Sequence, residues 1–187
     1  MTRLFLQSLL FTIIFTVLTG LVYPVVITGI AQIAFREKAN GSLLEYKGRV
    51  IGSALLAQKF ESPKYFQPRP SACDFSAVPS GASNLGPTSS ALQSNVLSRA
   101  AAFCSANKLP ANAIVPGDMV FTSGSGLDPH ISPESALIQV PRIAAVRGVE
   151  KDKIKVLVEK HVESPQLGFL GEYRVNVLLL NMALDRL

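Results

Sequence analysis

The densest chemistry in this chain lies at residues 123–132, Ser-Gly-Ser-Gly-Leu-Asp-Pro-His-Ile-Ser. Ser123, Ser125, Asp128 and His130 are the residue types of a nucleophile, a general base and the carboxylate that orients it. Two features argue against that reading. Triads assemble from separate segments of a fold, and this stretch lacks the G-x-S-x-G elbow between strand and helix. Only Pro129 separates Asp128 from His130, which hinders the carboxylate from orienting the ring. A membrane-anchored hydrolase using this cluster is therefore the alternative reading, and no catalytic residue is assigned. A metal site needs three or four ligands, and His130 and His161 are the only imidazoles. No metal is expected. An anion is better served: the amides around Gly124 and Gly126 can form a nest, and the helix start at Ser132-Pro133 offers free N–H groups to a phosphate. No Gly-Lys-Ser or Gly-Lys-Thr completes a P-loop. The plainest reading has Gly124 and Gly126 setting a tight turn, Asp128 accepting backbone hydrogen bonds, and His130 packing or capping.

A second polar stretch runs Tyr65-Phe66-Gln67-Pro68-Arg69-Pro70-Ser71-Ala72, with Ser83-Asn84-Leu85-Gly86 downstream. Prolines on both sides of Arg69 stiffen the loop, so Arg69 and Ser71 can present a rigid polar surface to a partner. The same loop can instead pack on its own aromatics, with Arg69 bonding local carbonyls. Ser83, Asn84 and Gly86 join Ser123, Gly124, Ser125, Gly126, Asp128 and His130 as candidates for holding nucleotide or docking a partner.

These loops must be held by regular elements. Residues 36–50 read as a linker and short strand, with turn signals at Asn40-Gly41 and Lys47-Gly48. Residues 52–60 place Leu55, Leu56 and Phe60 as in a short amphipathic helix. The segment 61–90 is rich in Pro, Ser, Gly and Asn, yet it holds Tyr65, Phe66 and Phe75. Disordered tracts are poor in aromatics, so an ordered, packed loop is expected. Residues 90–108 form a helix with Leu92, Val96, Leu97, Ala100 and Phe103 along one side, and 119–122 a strand. Ser132 as N-cap, Pro133 at N1 and Glu134 in the first turn start a helix that bends at Pro141 and stops at Gly148. Ile154, Leu157, Val158 and His161 mark an amphipathic helix over 152–163. The Leu-rich tail, 174–187, reads as a helix. The fold class is α/β: one N-terminal transmembrane helix, then a single mixed α/β globular domain in which helix predominates.

Composition bounds the rest. Of 187 residues, 48% are apolar and 17% charged, and none between Arg3 and Arg36 carries a charge. A bilayer core needs roughly 20 apolar residues. Residues 1–3 are thus a short flank, 4–35 a retained signal anchor, and 36–187 an extramembrane domain. The run is too long for the apolar core of a cleaved signal peptide, and no A-x-A site follows it. Pro24 should kink it or begin a new turn, and Gly20 and Gly29 would let another helix approach closely. The net charge of +5 is dispersed, which argues against nucleic acid and against a polybasic lipid patch. Cys73 and Cys104 lack metal-site spacing and read as plain thiols, with a disulfide as the alternative. Arg36, Lys38, Lys47 and Arg49 outnumber Arg3 and the α-amine, so flank charge favours a cytoplasmic domain. A long domain behind a single signal anchor is exported readily, and that favours the outer face.

In order along the chain, YFQPRPSA at 65–72, SNLGP at 83–87, SGSGLDPHIS at 123–132, QVPRIAAVRG at 139–148 and RVNVLLLNMALD at 174–185 resemble the C subunits of the Kdp potassium-transporting P-type ATPases. The N-terminal apolar helix is similar too, so the resemblance covers nearly the whole chain. It departs just before SGSG, where the family pattern Val-Pro-Val-Asp-Leu-Val-Thr-Ala is here Val115 to Thr122 with Gly117, Met119, Phe121 and a shifted hydroxyl. The resemblance implies a single-pass inner-membrane subunit of a bacterial potassium-uptake complex, not an enzyme by itself. Its partners would be a channel-like K+-binding subunit and a P-type subunit that hydrolyses ATP, with membrane lipid around the anchor. In that family the C subunit is described as a catalytic chaperone that raises ATP affinity, and also as placing its domain on the outer face. The resemblance thus implies no tightly bound cofactor on this chain and ATP at the level of the complex.

Overall fold

The structure is a computed structural model that describes all 187 residues. The chain falls into two compact units, Met1–Ser53 and Ala54–Leu187.

The first unit begins with one apolar helix, Thr2–Ala34, of mean hydropathy 2.3 and with none of its most apolar stretch buried by the chain itself. Its 33 residues extend about 50 Å, more than a bilayer core requires. It is built from α1 (Thr2–Val17), a π-helical turn (Leu18–Val22) and α2 (Tyr23–Ala34). The widened turn sits directly before Pro24. Proline has no N–H to donate and its ring crowds the carbonyl one turn back, so the ladder loosens there rather than breaking. A short helix α3 (Arg36–Ala39) and a hairpin of β1 (Leu43–Tyr46) and β2 (Arg49–Ser53) complete the unit. The hairpin reverses at Lys47 (φ 50°) and Gly48 (φ 75°), the left-handed pair a tight reversal demands.

The second unit packs α4 (Ser90–Asn107), α6 (Pro133–Arg147), α7 (Lys151–Lys160) and α8 (Val177–Leu184) beside a small antiparallel sheet. The sheet order is β3-β5-β4, with β3 (His130–Ile131), β4 (Val162–Glu163) and β5 (Arg174–Asn176). The short helix α5 (Gly117–Val120) leads into the polar loop at 121–129. Helix α6 is central: Ala136, Val140, Ile143 and Ala144 meet Ile154 and Val158 of α7, Phe103 of α4, Val175 of β5 and Leu180 of α8 in one core. Ser132 caps α6 by accepting from the Ser135 N–H at 3.1 Å, and Gly148 closes it at φ 67°. The helix runs on through Pro141.

Three expected elements differ. Residues 52–60 are not a helix: β2 continues to Ser53 and the chain then turns, because Leu55 and Leu56 stay exposed and no apolar stripe is buried. Residues 119–122 are not the expected strand: 117–120 form a helical turn, since Gly117 follows Pro116 and Asp118 takes a first-turn position, and Phe121 and Thr122 lie in the loop that follows. The tail is helical only from Val177. Residues 174–176 are drawn into the sheet as its central strand, and Asn176 then caps α8 by accepting from Leu179 at 3.2 Å. The long loop at 61–90 packs over residues 65–71, with Phe66 fully buried, whereas 76–80 and 83–88 lie exposed on the surface.

Candidate functional site

Two side-chain amides hold the proline-rich loop. Asn181 of α8 accepts from the Phe66 N–H at 2.9 Å and donates to the Phe66 carbonyl at 3.0 Å. Gln139 of α6 does the same one residue on, accepting from the Gln67 N–H at 2.8 Å and donating to its carbonyl at 3.3 Å. Each amide thus stands in for a neighbouring strand, which is how an irregular segment can be buried at Phe66 without orphaned backbone groups. Arg142, 8% exposed, extends the clamp. Its guanidinium donates to the carbonyl oxygens of Pro63 and Tyr65, to Asn107 Oδ1 at 2.9 Å and to Gln139 Oε1 at 2.8 Å. All its acceptors are neutral, and burial pulls its pKa down. Arg147 bonds the Lys64 carbonyl and pairs with Asp185 at 2.7 Å, while Tyr65 donates to the other Asp185 oxygen at 2.8 Å.

Held this way, the loop delivers Arg69 to Asp128. Arg69 Nη1 lies 2.8 Å from Asp128 Oδ2, and the other oxygen accepts from the His130 N–H at 3.0 Å and faces His130 Nδ1 at 3.2 Å. Burial pushes the Asp128 carboxyl up, but the His130 ring, the His130 N–H and Arg69 outweigh it and hold the group at about 2. His130 Nε2 looks toward Glu163 at 4.0 Å, and Glu163 pairs with Arg174 at 3.0 Å across the β4–β5 register. The result is a chain of polar contacts, from Arg69 through Asp128, His130 and Glu163 to Arg174, that laces the loops to both edges of the sheet. Arg69, Asp128, His130 and Arg174 of this chain line a cleft of about 240 Å³ together with Asp118 and Tyr173.

The other half of the cluster is a packed joint. Ser71 Oγ accepts from the N–H groups of Cys73 and Phe75 at 3.2 and 2.9 Å, and lies 3.3 Å from Cys73 Sγ. That contact with Ser71 lowers the pKa of the Cys73 thiol, in opposition to burial. Gly126 sits against the same sulfur. A Cβ built there would come within 2.5 Å of Cys73 Sγ and 2.9 Å of the Gly81 carbonyl, at φ +72°. Glycine is required both by space and by backbone conformation. Cys73 and Cys104 are both free thiols.

The serines do not serve His130. Ser123 is buried and its carbonyl accepts from Gly126 at 3.3 Å, while Ser125 Oγ accepts from the Leu127 N–H at 3.1 Å. Neither hydroxyl is a hydrogen-bond partner of the imidazole, whose nitrogens face Asp128 and Glu163. The hydrolase reading loses its nucleophile–base pair. Gly124 stands in open space. Ser83, Asn84 and Gly86 lie on the surface; Thr122 Oγ1 reaches Ser83 Oγ only at 3.5 Å, and Asn84 takes a left-handed φ of 51°.

The start of α6 has an anion already, supplied by the chain. Asp118 accepts from the Ser132 N–H and from Ser135 Oγ, both at 2.6 Å. A carboxylate at this position does what a bound phosphate would do for the helix dipole and its free amides. Sequence reading passed over Asp118, Gln139, Arg142, Arg147 and Asn181. Their signal was present in the quoted motifs: a helix stripe carrying Gln, Arg and Asn where apolar residues belong implies buried polar groups that need partners.

A family model described as K+-transporting ATPase, c chain (KdpC) matches residues 5–186. The protein named "Potassium-transporting ATPase KdpC subunit" in Mycobacterium tuberculosis is 49% identical over 189 residues, covering 100% of both chains. Proteins of the same name in Cereibacter sphaeroides and Geobacter sulfurreducens are 50% and 48% identical. They cover 91% and 96% of this chain, and 90% and 96% of their own.

Proposed function

The chain belongs to the KdpC family, the c chain of K+-transporting ATPases, and on that premise we propose that it is a non-catalytic subunit which docks its folded domain on the other subunits of that complex. One observation carries the docking role. The polar chemistry is turned inward, as intramolecular clamps, while the arm between β4 and β5 turns apolar side chains outward. Leu167 is 82% exposed, Phe169 75% and Tyr173 62%. The arm is shaped: Gln166 and Leu170 bridge across a turn, with left-handed φ at Leu167, Gly168 and Gly171. Exposed apolar groups on a held scaffold mark a contact surface.

The partners are a channel-like K+-binding subunit and a P-type ATPase subunit. The anchor at Thr2–Ala34 holds the chain in the inner membrane, with Gly20 and Gly29 as points of close helix approach. The domain lies on the outer face. ATP then belongs to the complex, on the opposite side of the membrane, and a catalytic-chaperone effect on ATP affinity passes through the partner subunits rather than through nucleotide held at Gly124 or Ser83. Doubly substituting Leu167→Ser and Phe169→Ser in the tagged full chain tests the docking. The expected result is loss of the co-purifying large subunits with an unchanged unfolding temperature. Full co-purification by the double variant would overturn the assignment of the arm.

A further inference from the structure

Helix α4 meets the core on one side only: Phe103, Cys104 and Asn107 are buried, while Ala102 and Ala106 are exposed. Arg99, Ala102, Phe103 and Ala106 follow the i, i+3, i+4, i+7 spacing of one helix face, and that face lines a cleft of about 350 Å³. Phe60, Phe75 and Met119 supply more of its apolar lining, with Pro68 and Pro70 of the clamped loop. The two alanines leave the space open, since a longer side chain at either position would enter it. The loop side is fixed before any ligand arrives, because Gln139 holds Gln67 by both its N–H and its carbonyl. A standing concave space of this size, apolar with a few polar groups, is the ordinary form of a small-molecule site, whereas outward apolar groups such as Leu167 suit a protein surface.

Three cations line the cleft, Lys59, Arg69 and Arg99, and no carboxylate does. Two of the three already have counter-ions. Lys59 lies 3.2 Å from Glu61 and 3.0 Å from Asp74, and Arg69 lies 2.8 Å from Asp128. Asp118, the neighbour of Met119, is turned to Ser132 and Ser135. Arg99 has no ion-pair partner. Its contact is the Val120 carbonyl, which accepts from Nη1 at 2.9 Å, so Nε and Nη2 keep their donors. By residue, the charges around the cleft are balanced, and the balance leaves one guanidinium uncompensated beside an apolar space.

That combination selects a ligand by its chemistry. A guanidinium fork pairs with a carboxylate through two parallel N–H bonds, and the aromatic lining takes an apolar body. A cationic ligand would meet three cations, and a dianion would find a counter-charge for only one of its two groups. We propose that this cleft binds a small monocarboxylate with an aromatic or aliphatic body, its carboxylate on Arg99 and its body against Phe103 and the neighbouring Phe60 and Phe75. The site is separate from the Leu167–Tyr173 arm, so the two can be tested apart.

The test titrates 3-phenylpropionate, and its neutral amide as a matched probe, onto the full chain in phosphatidylcholine nanodiscs. Saturation-transfer nuclear magnetic resonance reads binding, with empty discs as the reference. At the efficiency usual for small ligands, roughly 11 non-hydrogen atoms correspond to a Kd of about 4 mM. The expected result is that value or tighter for the carboxylate, and about tenfold weaker binding of the amide. Arg99→Met should weaken the carboxylate about tenfold and leave the amide unchanged. Ala102→Trp should abolish binding of both probes at an unchanged unfolding temperature, because Ala102 is exposed and faces the cleft. Where Arg99→Met lowers the unfolding temperature, the two probes on wild type and on Ala102→Trp decide alone. No carboxylate binding above that of empty discs would overturn the proposal, as would equal binding of the two probes or binding that survives Ala102→Trp. The assembled complex should bind the carboxylate as the chain does. Loss of binding there overturns the proposal and assigns the cleft to a partner subunit.

Discussion

Replacing Asp128 by Asn removes the charge at the centre of the Arg69–His130 network while keeping its shape. In the folded chain the carboxyl is held at about 2, against an ordinary 3.8. A folded-state pKa below the unfolded one means that the unfolded chain binds more protons across that interval. The stabilisation is therefore complete above the unfolded value and vanishes as pH falls through the folded one. The gap is worth about 2 kcal/mol at neutral pH, little more than half of that near pH 3, and about a sixth near pH 2. Asparagine binds no proton, so this contribution is absent from the variant at every pH. Urea midpoints of the full chain in a non-ionic detergent, followed by far-ultraviolet circular dichroism, would read the unfolding of Ala54–Leu187. The stability difference between wild type and Asp128→Asn should shrink by about 2 kcal/mol on going from pH 6 to pH 2. Leaving Arg69 unpaired adds a cost of its own, but that cost is nearly constant over this range because arginine keeps its charge. Curves that stay parallel from pH 6 to pH 2 would refute the reasoning, since the network would then be stabilised by shape and not by the Asp128 charge.

Two further outcomes follow from the packing. Gly126→Ala forces a Cβ onto Cys73 Sγ at 2.5 Å and onto a backbone carbonyl at 2.9 Å in a left-handed conformation, and should cost about 1–3 kcal/mol in thermal unfolding; adding Cys73→Ala should recover only part of it, because the carbonyl and the φ angle remain. Asn181→Ala leaves the buried Phe66 N–H and carbonyl without their partner, at about 2–4 kcal/mol, and hydrogen exchange at the Phe66 amide should accelerate more than at amides in the centre of α4.

What could be read from the sequence follows how local each signal is. Ser132, Pro133, Glu134 and Gly148 specify both ends of α6 by themselves, because caps act on amides within one turn. Hydrophobic spacing likewise located α4 and α7, although Leu97, counted on the inner face of α4, is 63% exposed. The tail misled because Arg174-Val175-Asn176 is too short to show a strand pattern, and only the β3 and β4 edges make it one. No local pattern carries that information. The polar cluster shows the same divide. That Asp128 accepts from the His130 N–H two residues on was legible as a turn habit. That its second oxygen binds Arg69, which is 59 positions away, was not. Asp118 escaped notice for the same reason: its partners, Ser132 and Ser135, belong to another element.

This difference in range also explains why the cluster at 123–132 imitates a catalytic site. Catalysis and docking both need polar groups held at fixed geometry on loops, and both are met by tight turns, buried carboxylates and satisfied histidines. They part on where the remaining hydrogen-bonding capacity points. A nucleophile keeps its hydroxyl on the base, and an oxyanion site leaves amides open toward substrate. Here Ser125 Oγ is turned to Leu127, the Ser132 N–H and Ser135 hydroxyl at the start of α6 to Asp118, and the His130 nitrogens to Asp128 and Glu163. Apart from Arg69 Nε, which is buried without a partner, the cluster closes its polar chemistry on itself, and the chain leaves apolar groups, Leu167, Phe169 and Tyr173, to the outside. On the function proposed above, that inversion suits a subunit whose work is done by contact. The proposed function then puts sensitivity to substitution in two separate places, stability at the inner clamps and association at the outer arm.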